Sequence, residues 1–184
     1  MPRYVLTGAP GAGKTAILRL LERAGHRVVE EAATDVIALE DALGHPEPWA
    51  CAGFADAIAA LQRQREQLAG DPGAGDAVFF DRSPVCTLAL SRYLGLPTSA
   101  LLAAEVDRVV RDGVYSETAF FVRNQGFVEP TAARRISFED SLVFEDVHEQ
   151  VYRDAGFELI EVPAGPVERR AALVLHTAGL AWTA

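Results

Sequence analysis

The sequence predicts an α/β fold in which a parallel sheet of five strands is flanked by helices, with one segment set apart as a lid. Two observations carry this. Short apolar runs alternate with longer amphipathic stretches, without an internal repeat or a low-complexity linker. The chain has 184 residues at 49% hydrophobic composition, enough to bury the core of one compact unit spanning 1–184.

The strands are expected at Arg3 to Thr7, Arg27 to Glu30, Ala77 to Phe80, Glu117 to Val122 and Glu158 to Val162, each a short run rich in Val, Phe, Leu or Ile. Helices fill the intervals at Lys14 to Ala24, Ala33 to Leu43, Ala50 to Ala69, Pro84 to Leu94, Ser99 to Asp112, Phe138 to Ala155 and Val167 to Ala178. Gly25, Gly44, Gly95, Gly113 and Gly156 each follow such a pattern, where a left-handed C-cap is cheap only for glycine. Two stretches depart from the strand–helix rhythm. Gly44 to Trp49 and the helix after it insert extra length between the second and third strands. Arg123 to Ser137 is a polar segment with paired arginines, longer than most connections in compact domains and therefore a candidate lid or a surface loop.

Charge and composition then exclude several classes. A formal net charge of -9 removes the basic footprint of a protein that embraces nucleic acid along a whole face. No apolar run approaches the length of a membrane span, and Met1-Pro2-Arg3 leads directly into the first strand rather than into a secretory h-region, so a cytoplasmic protein is expected. Cys51 and Cys86 and the four histidines, His26, His45, His148 and His176, show no metal-ligand spacing; the thiols read as reduced core residues and the histidines as surface or core-edge residues. Lys14 is the sole lysine in a chain whose other basic residues are all arginine. A coding bias that has emptied every other position of lysine has spared this one, where a compact charge on a flexible stem does what a planar fork cannot.

Gly8-Ala9-Pro10-Gly11-Ala12-Gly13-Lys14-Thr15 satisfies G-x-x-x-x-G-K-[ST], directly after an expected strand and opening a helix. Glycines let such a loop curl so that backbone N–H groups point at phosphate oxygens, and the helix N-terminus adds partial positive charge. Lys14 reaches the β- and γ-phosphates of a nucleotide, and the Thr15 hydroxyl is a hard ligand for Mg²⁺. Ala77-Val78-Phe79-Phe80-Asp81 is an apolar strand ending in an acid, placing Asp81 as a second metal-shell residue. Arg82 follows at the strand's carboxyl end, where ligands gather in such sheets. Glu30 and Glu31 end the second strand; a carboxylate there either accepts a proton from an attacking hydroxyl, anchors a substrate, or sits in the first turn of a helix.

After Trp49, the residues Phe54, Ile58, Leu61 and Leu68 form one stripe at helical spacing, and Arg65 falls inside it. Arg65 there meets a substrate phosphate or carboxylate, or snorkels at the stripe's edge. Arg123, Arg134 and Arg135 cluster in the lid segment. Closure would bring their guanidinium groups to a transferring phosphoryl group; a solvated loop would pair them with Glu139 and Asp140.

With these residues in view, the chain resembles the P-loop kinases of the nucleoside and nucleotide kinase group. More narrowly, it is similar to the small bacterial AAA-domain ATP-binding family, related to the kinase domain of ribosylnicotinamide kinases. The likeness rests on the phosphate loop, Glu31-Ala32-Ala33, Asp81-Arg82, the Arg-bearing lid, Tyr152, Gly156-Phe157, Val162-Pro163 and Glu168-Arg169. It implies the three-layer P-loop NTPase fold with strand order 2-3-1-4-5, a Lys14/Thr15/Asp81 site for ATP and Mg²⁺, a substrate side built by the inserted helices, and an adenine shelf at Val162-Pro163-Ala164. Family members often carry Arg three residues after the second-strand Glu, where this chain has Thr34. The expected activity is transfer of the ATP γ-phosphate to a small-molecule hydroxyl, with Lys14, Glu31, Asp81, Arg82, Arg134 and Arg135 catalytic and Glu31, Arg65, Arg82 and Arg123 on the acceptor. The alternative is a regulatory ATPase or nucleotide sensor read by a protein partner. An AAA+ motor lacks room for its helical small domain, and no N-K-x-D guanine-reading motif is present. Nucleoside, nucleotide, sugar and vitamin precursor all remain open as acceptors, with Trp49 and Phe54 the aromatic candidates for a base pocket.

Overall fold

In a computed structural model describing residues 2–45, 47–51, 53–70, 77–127 and 136–182, the strands are β1 (Arg3–Thr7), β2 (Arg27–Val29), β3 (Val78–Asp81), β4 (Thr118–Val122) and β5 (Glu158–Val162). The helices are α1 (Lys14–Arg23), α2 (Ala32–Ala42), α3 (Phe54–Ala69), α4 (Pro84–Tyr93), α5 (Ala100–Arg111), α6 (Phe138–Asp154) and α7 (Val167–Thr177). All strand pairings are parallel, in the order β2-β3-β1-β4-β5. The expected order is therefore the observed one. The five glycines after helices all take positive φ, between 58° and 88°.

Alternation along the strands sorts the core into two layers. Val5, Phe80 and Ala119 face one side and pack with residues of α4, α5 and α6, among them Val85, Leu102 and Tyr152. Leu6, Phe79 and Phe120 face the other and pack with Ile17 and Leu21 of α1 and Val174 and Leu175 of α7. A third, smaller cluster joins α2 to α3 through Ala32, Val36, Phe54 and Ile58. Register aligns Leu6 with Asp81 and Val122 with Val162, so the carboxyl ends of four strands form one edge.

The structure corrects the expected helix from Ala50 to Ala69. A 3₁₀ turn at Pro48–Ala50 comes first, and α3 starts at Phe54 after Gly53. Its buried face also differs from the expected stripe: Phe54 and Ile58 are buried, but Gln62 and Glu66 continue the inward face while Leu68 is 78% exposed. Glu66 is tolerated there because Arg108 of α5 donates to it from Nη2 and Arg3 to its carbonyl. The cysteines also divide. Cys86 is buried as expected, but Cys51 is exposed beside the 3₁₀ turn.

Candidate active site

The loop between β1 and α1 closes against the sheet's carboxyl edge, and two glycines there are sterically required. Gly8 has φ 128°, and a Cβ on it would lie 2.4 Å from the Val122 carbonyl oxygen. Gly13, the N-cap of α1, has φ 89°, and its missing Cβ leaves room for an Arg170 guanidinium nitrogen at 2.9 Å. Arg170, buried on α7, donates to Ala12 O at 2.7 Å and to Arg123 O at 2.9 Å, tying the loop to the end of β4. No local pattern marks this residue, because its contact to Ala12 spans 158 positions.

Lys14 folds back over the loop and donates to Gly8 O and Ala9 O, both at 2.9 Å. Two of its three N–H bonds thus prop the loop open, while the first-turn amides of α1 lack intrahelical acceptors. Burial first, then the charge of Arg82, lowers the Lys14 pKa from 10.5 to about 8, against the pull of Asp81 and Glu31. The Thr15 hydroxyl donates to Asp81 Oδ2 at 3.1 Å, which brings the two expected metal-shell residues together. Asp81 is 2% exposed, and its Oδ1 is buried without a hydrogen-bond partner. Burial, reinforced by Glu31, pushes this carboxyl above its ordinary value, against the pull of Lys14. An orphaned carboxylate oxygen beside a hydroxyl is the donor chemistry that a hard divalent cation satisfies, so these residues fit Mg²⁺.

Glu31 and Glu30 part company at the end of β2. Glu30 is exposed and pairs with Arg19. Glu31, the N-cap residue of α2, turns inward, forms an ion pair with Arg82 and accepts from Thr34 Oγ1 at 3.0 Å. Burial opposes its charge, but Arg82 and then Lys14 outweigh that and hold the carboxyl below its usual range. Arg82 is the one non-glycine among the described residues at positive φ, 73°, a left-handed backbone that costs an ordinary side chain and persists only when its surroundings impose it. They do so from several sides. Gln62 donates to Arg82 O at 3.2 Å, Arg82 N donates to Leu6 O at 3.1 Å, and Arg82 Nη1 donates to Gly8 O at 3.2 Å.

Beside this pair opens a cavity of about 350 Å³, walled by α2, α3, α4 and α6 and lined by Trp49, Phe54, Gln62, Tyr93 and Phe144 together with Glu31 and Arg82. A second cavity of about 250 Å³, lined by Thr15, Asp81, Glu30 and Glu31, lies on the α1 side. Trp49 and Phe54 were expected here. Tyr93 and Phe144, stacked at 4.5 Å between ring centroids, were not: they come from α4 and α6 and meet only in the folded chain.

Arg65 and Arg123, expected on the acceptor, are engaged within the fold. Arg65 lines neither of these cavities; it donates to Glu31 O at 2.5 Å and Glu30 O at 3.1 Å and pairs with Asp35, so it clamps the turn from β2 into α2. Arg123 lies over the Phe121 ring at 4.5 Å and pairs with Glu145, Glu149 and Glu161, which ties the end of β4 to α6 and β5. Val162 is buried at the end of β5, with Pro163 and Ala164 exposed after it, and Gly165 N donates to Gln125 Oε1 at 3.2 Å. Arg134 and Arg135, with residues 128–135 of the expected lid, lie outside the described residues. His148, expected at a surface or core edge, is fully buried against Arg82.

A phosphate loop, an acid-ended neighbouring strand and a side cavity, set on the edge of a 2-3-1-4-5 sheet, define a protein of the P-loop kinase-like class. Comparison with known sequences narrows this: the profile described as AAA domain matches residues 3–170, and the chain belongs to that family. Solved structures share its fold. Deoxyadenosine kinase from M. mycoides, with products dCMP and a flexible dCDP bound, superposes with TM-score 0.65 at 14% identity, covering 96% of this chain and 98% of that one. The same enzyme with bound dATP gives 0.59 at 13% identity over 97% and 100% of the two chains. NadR in complex with NAD and AMP-PNP gives 0.70 at 14% identity over 100% of this chain and 51% of that one. No curated protein matches the sequence. Among the described residues, no helix is long and apolar enough to cross a membrane.

Proposed function

We propose that the protein is an ATP-dependent phosphotransferase whose acceptor is a hydroxyl group of an uncharged, ring-bearing molecule of the nucleoside class. The observation that carries this is that Glu31 lines both cavities, so the aromatic chamber and the Thr15–Asp81 side meet at one carboxylate beside one guanidinium. The polyphosphate of ATP would lie along the amides of Gly11 to Thr15 with Lys14, and the Val162-Pro163-Ala164 segment would border its base. Mg²⁺, held by Thr15 and Asp81, would neutralise charge on the β- and γ-phosphates.

The acceptor ring would lie between Trp49, Phe54, Tyr93 and Phe144, where stacking and burial are both available. Its hydroxyl would hydrogen-bond to Glu31, which Arg82 and Lys14 keep ionised. The acceptor oxygen bonds to the γ-phosphorus, the bond from that phosphorus to the β,γ-bridging oxygen breaks, the hydroxyl proton passes to Glu31, and ADP leaves. Arg82 would steady the charge on the moving phosphoryl group. Lining charge argues for a nucleoside over a nucleotide. Among the described residues, Glu31 and Asp140 line the chamber, and Arg82, the one cation among them that does, is already paired with Glu31. An acceptor phosphate would meet net negative charge. The fold neighbours hold dCMP, dCDP, dATP and AMP-PNP, which supports a nucleotide-handling site.

The test is ATP turnover across nucleosides, nucleoside monophosphates and small hydroxyl compounds. Acceptor-dependent ADP release with a phosphorylated nucleoside product, reduced about a hundredfold or more in Glu31→Gln, is expected. Slow release indifferent to acceptor would instead select the regulatory ATPase. Preference for monophosphates would overturn the acceptor class.

A further inference from the structure

Resting on the phosphotransferase reading, we propose that His148 is a positioning residue that aims the Arg82 guanidinium at the phosphate loop and links it to the wall of the acceptor chamber. His148 lies on α6, 66 residues from Arg82, and its Nε2 is 3.2 Å from Arg82 Nη1. Arginine has only donors to offer, so Nε2 must be the acceptor and carry no proton. The proton therefore sits on Nδ1, which donates to the Phe144 carbonyl at 2.9 Å. One imidazole thus spans a helix backbone and a guanidinium, with its tautomer fixed from both ends. Burial, then Arg82, drives the His148 pKa well below its ordinary value, so the ring stays neutral beside the cation. Lys14 adds repulsion from α1 in the same direction.

The consequence for Arg82 is directional. Its Nη1 faces both His148 Nε2 and Gly8 O, while Nε faces Glu31. Gly8 O also accepts from Lys14, so the guanidinium and the ammonium share one loop carbonyl. Without His148, Glu31 and that shared carbonyl alone would set the guanidinium, and a buried donor would lose an acceptor. The other end of the link is the chamber itself. The His148 ring packs on Phe144 at 4.3 Å between centroids, and Phe144 stacks on Tyr93, both of them chamber walls. Phe144, against which an acceptor ring would seat, is therefore two contacts from the Arg82 guanidinium.

Two arms test this. With an acceptor that the wild-type protein phosphorylates, His148→Leu is expected to lower kcat about tenfold or more, while KM for ATP stays within about threefold and His148→Gln, whose side-chain oxygen can accept, keeps at least about a third of the rate. An unchanged kcat in His148→Leu overturns the proposal, as does a loss in His148→Gln equal to that in His148→Leu. Nitrogen-15 NMR of the histidine side chains reads the tautomer without turnover: a proton on Nδ1 and a bare Nε2 for His148 are expected, and a proton on Nε2 refutes the link. A protein that transfers phosphate to no acceptor would sink the kinase reading, and the tautomer would then decide this one.

Discussion

Lys14 is held in a conflict that a nucleotide would resolve. Its ammonium is buried among carbonyls and beside Arg82, which lowers its pKa from 10.5 to about 8. At this residue the unfolded chain therefore binds more protons than the folded one between those two values, and the contribution of Lys14 to the stability of the free protein rises with pH through that window. A polyphosphate reverses the balance, because negative charge favours the ammonium and raises its pKa on binding. Above about pH 8, association must then take up a proton, and affinity falls as pH rises. Calorimetry at about pH 9 in two buffers of different ionisation enthalpy measures the uptake. A positive value is expected for ATP; zero uptake would remove Lys14 from the phosphate site. Local sequence disclosed this residue because the loop motif is contiguous and the lysine has no other copy in the chain. His148 was not disclosed in the same way, since its partner is 66 residues distant and a lone histidine carries no spacing.

Elements were legible where a period or a cap defines them. The strands, their parallel pairing and the glycine helix ends follow from apolar runs and from positive φ, whereas the inward face of α3 did not, because tertiary partners rather than hydrophobicity select it. Arg3 and Arg108 meet Glu66, and the Arg82 carbonyl meets Gln62, so polar residues occupy the inner face and Leu68 points outward. Arg65 illustrates the same point. Helical spacing placed it in the stripe, but its guanidinium reaches across to Glu30 O, Glu31 O and Asp35 and fixes the N-terminus of α2. Arg65→Met should therefore lower thermal stability by about 1–3 kcal/mol and reduce kcat through a loosened Glu31, leaving the acceptor KM little changed. An increase confined to the acceptor KM, with stability intact, would instead return Arg65 to the substrate.

At the scale of the whole molecule, the sheet's carboxyl edge gathers groups from elements that pack on both faces. Asp81 ends β3 and Arg82 follows it, Lys14 and Thr15 open α1, Glu31 is the N-cap residue of α2, and Arg170 reaches the loop from α7. The strand order that the resemblance implied is what makes this convergence possible, because β1 lies between β3 and β4. The aromatic chamber was beyond reach of sequence for the opposite reason: its walls come from four helices whose mutual placement no local pattern states. Ligand at this edge should consequently stabilise both core layers together rather than one loop. Binding at a hundred times Kd adds about 2.7 kcal/mol, which for a domain of this size corresponds to a rise of about 5 to 10 °C in Tm. Differential scanning calorimetry with Mg-ATP is expected to show a single transition displaced by that amount in the wild-type protein and undisplaced in Lys14→Ala. Two separate transitions, of which only one responds to nucleotide, would show that the layers unfold independently, and an equal shift in Lys14→Ala would place the nucleotide somewhere other than the loop.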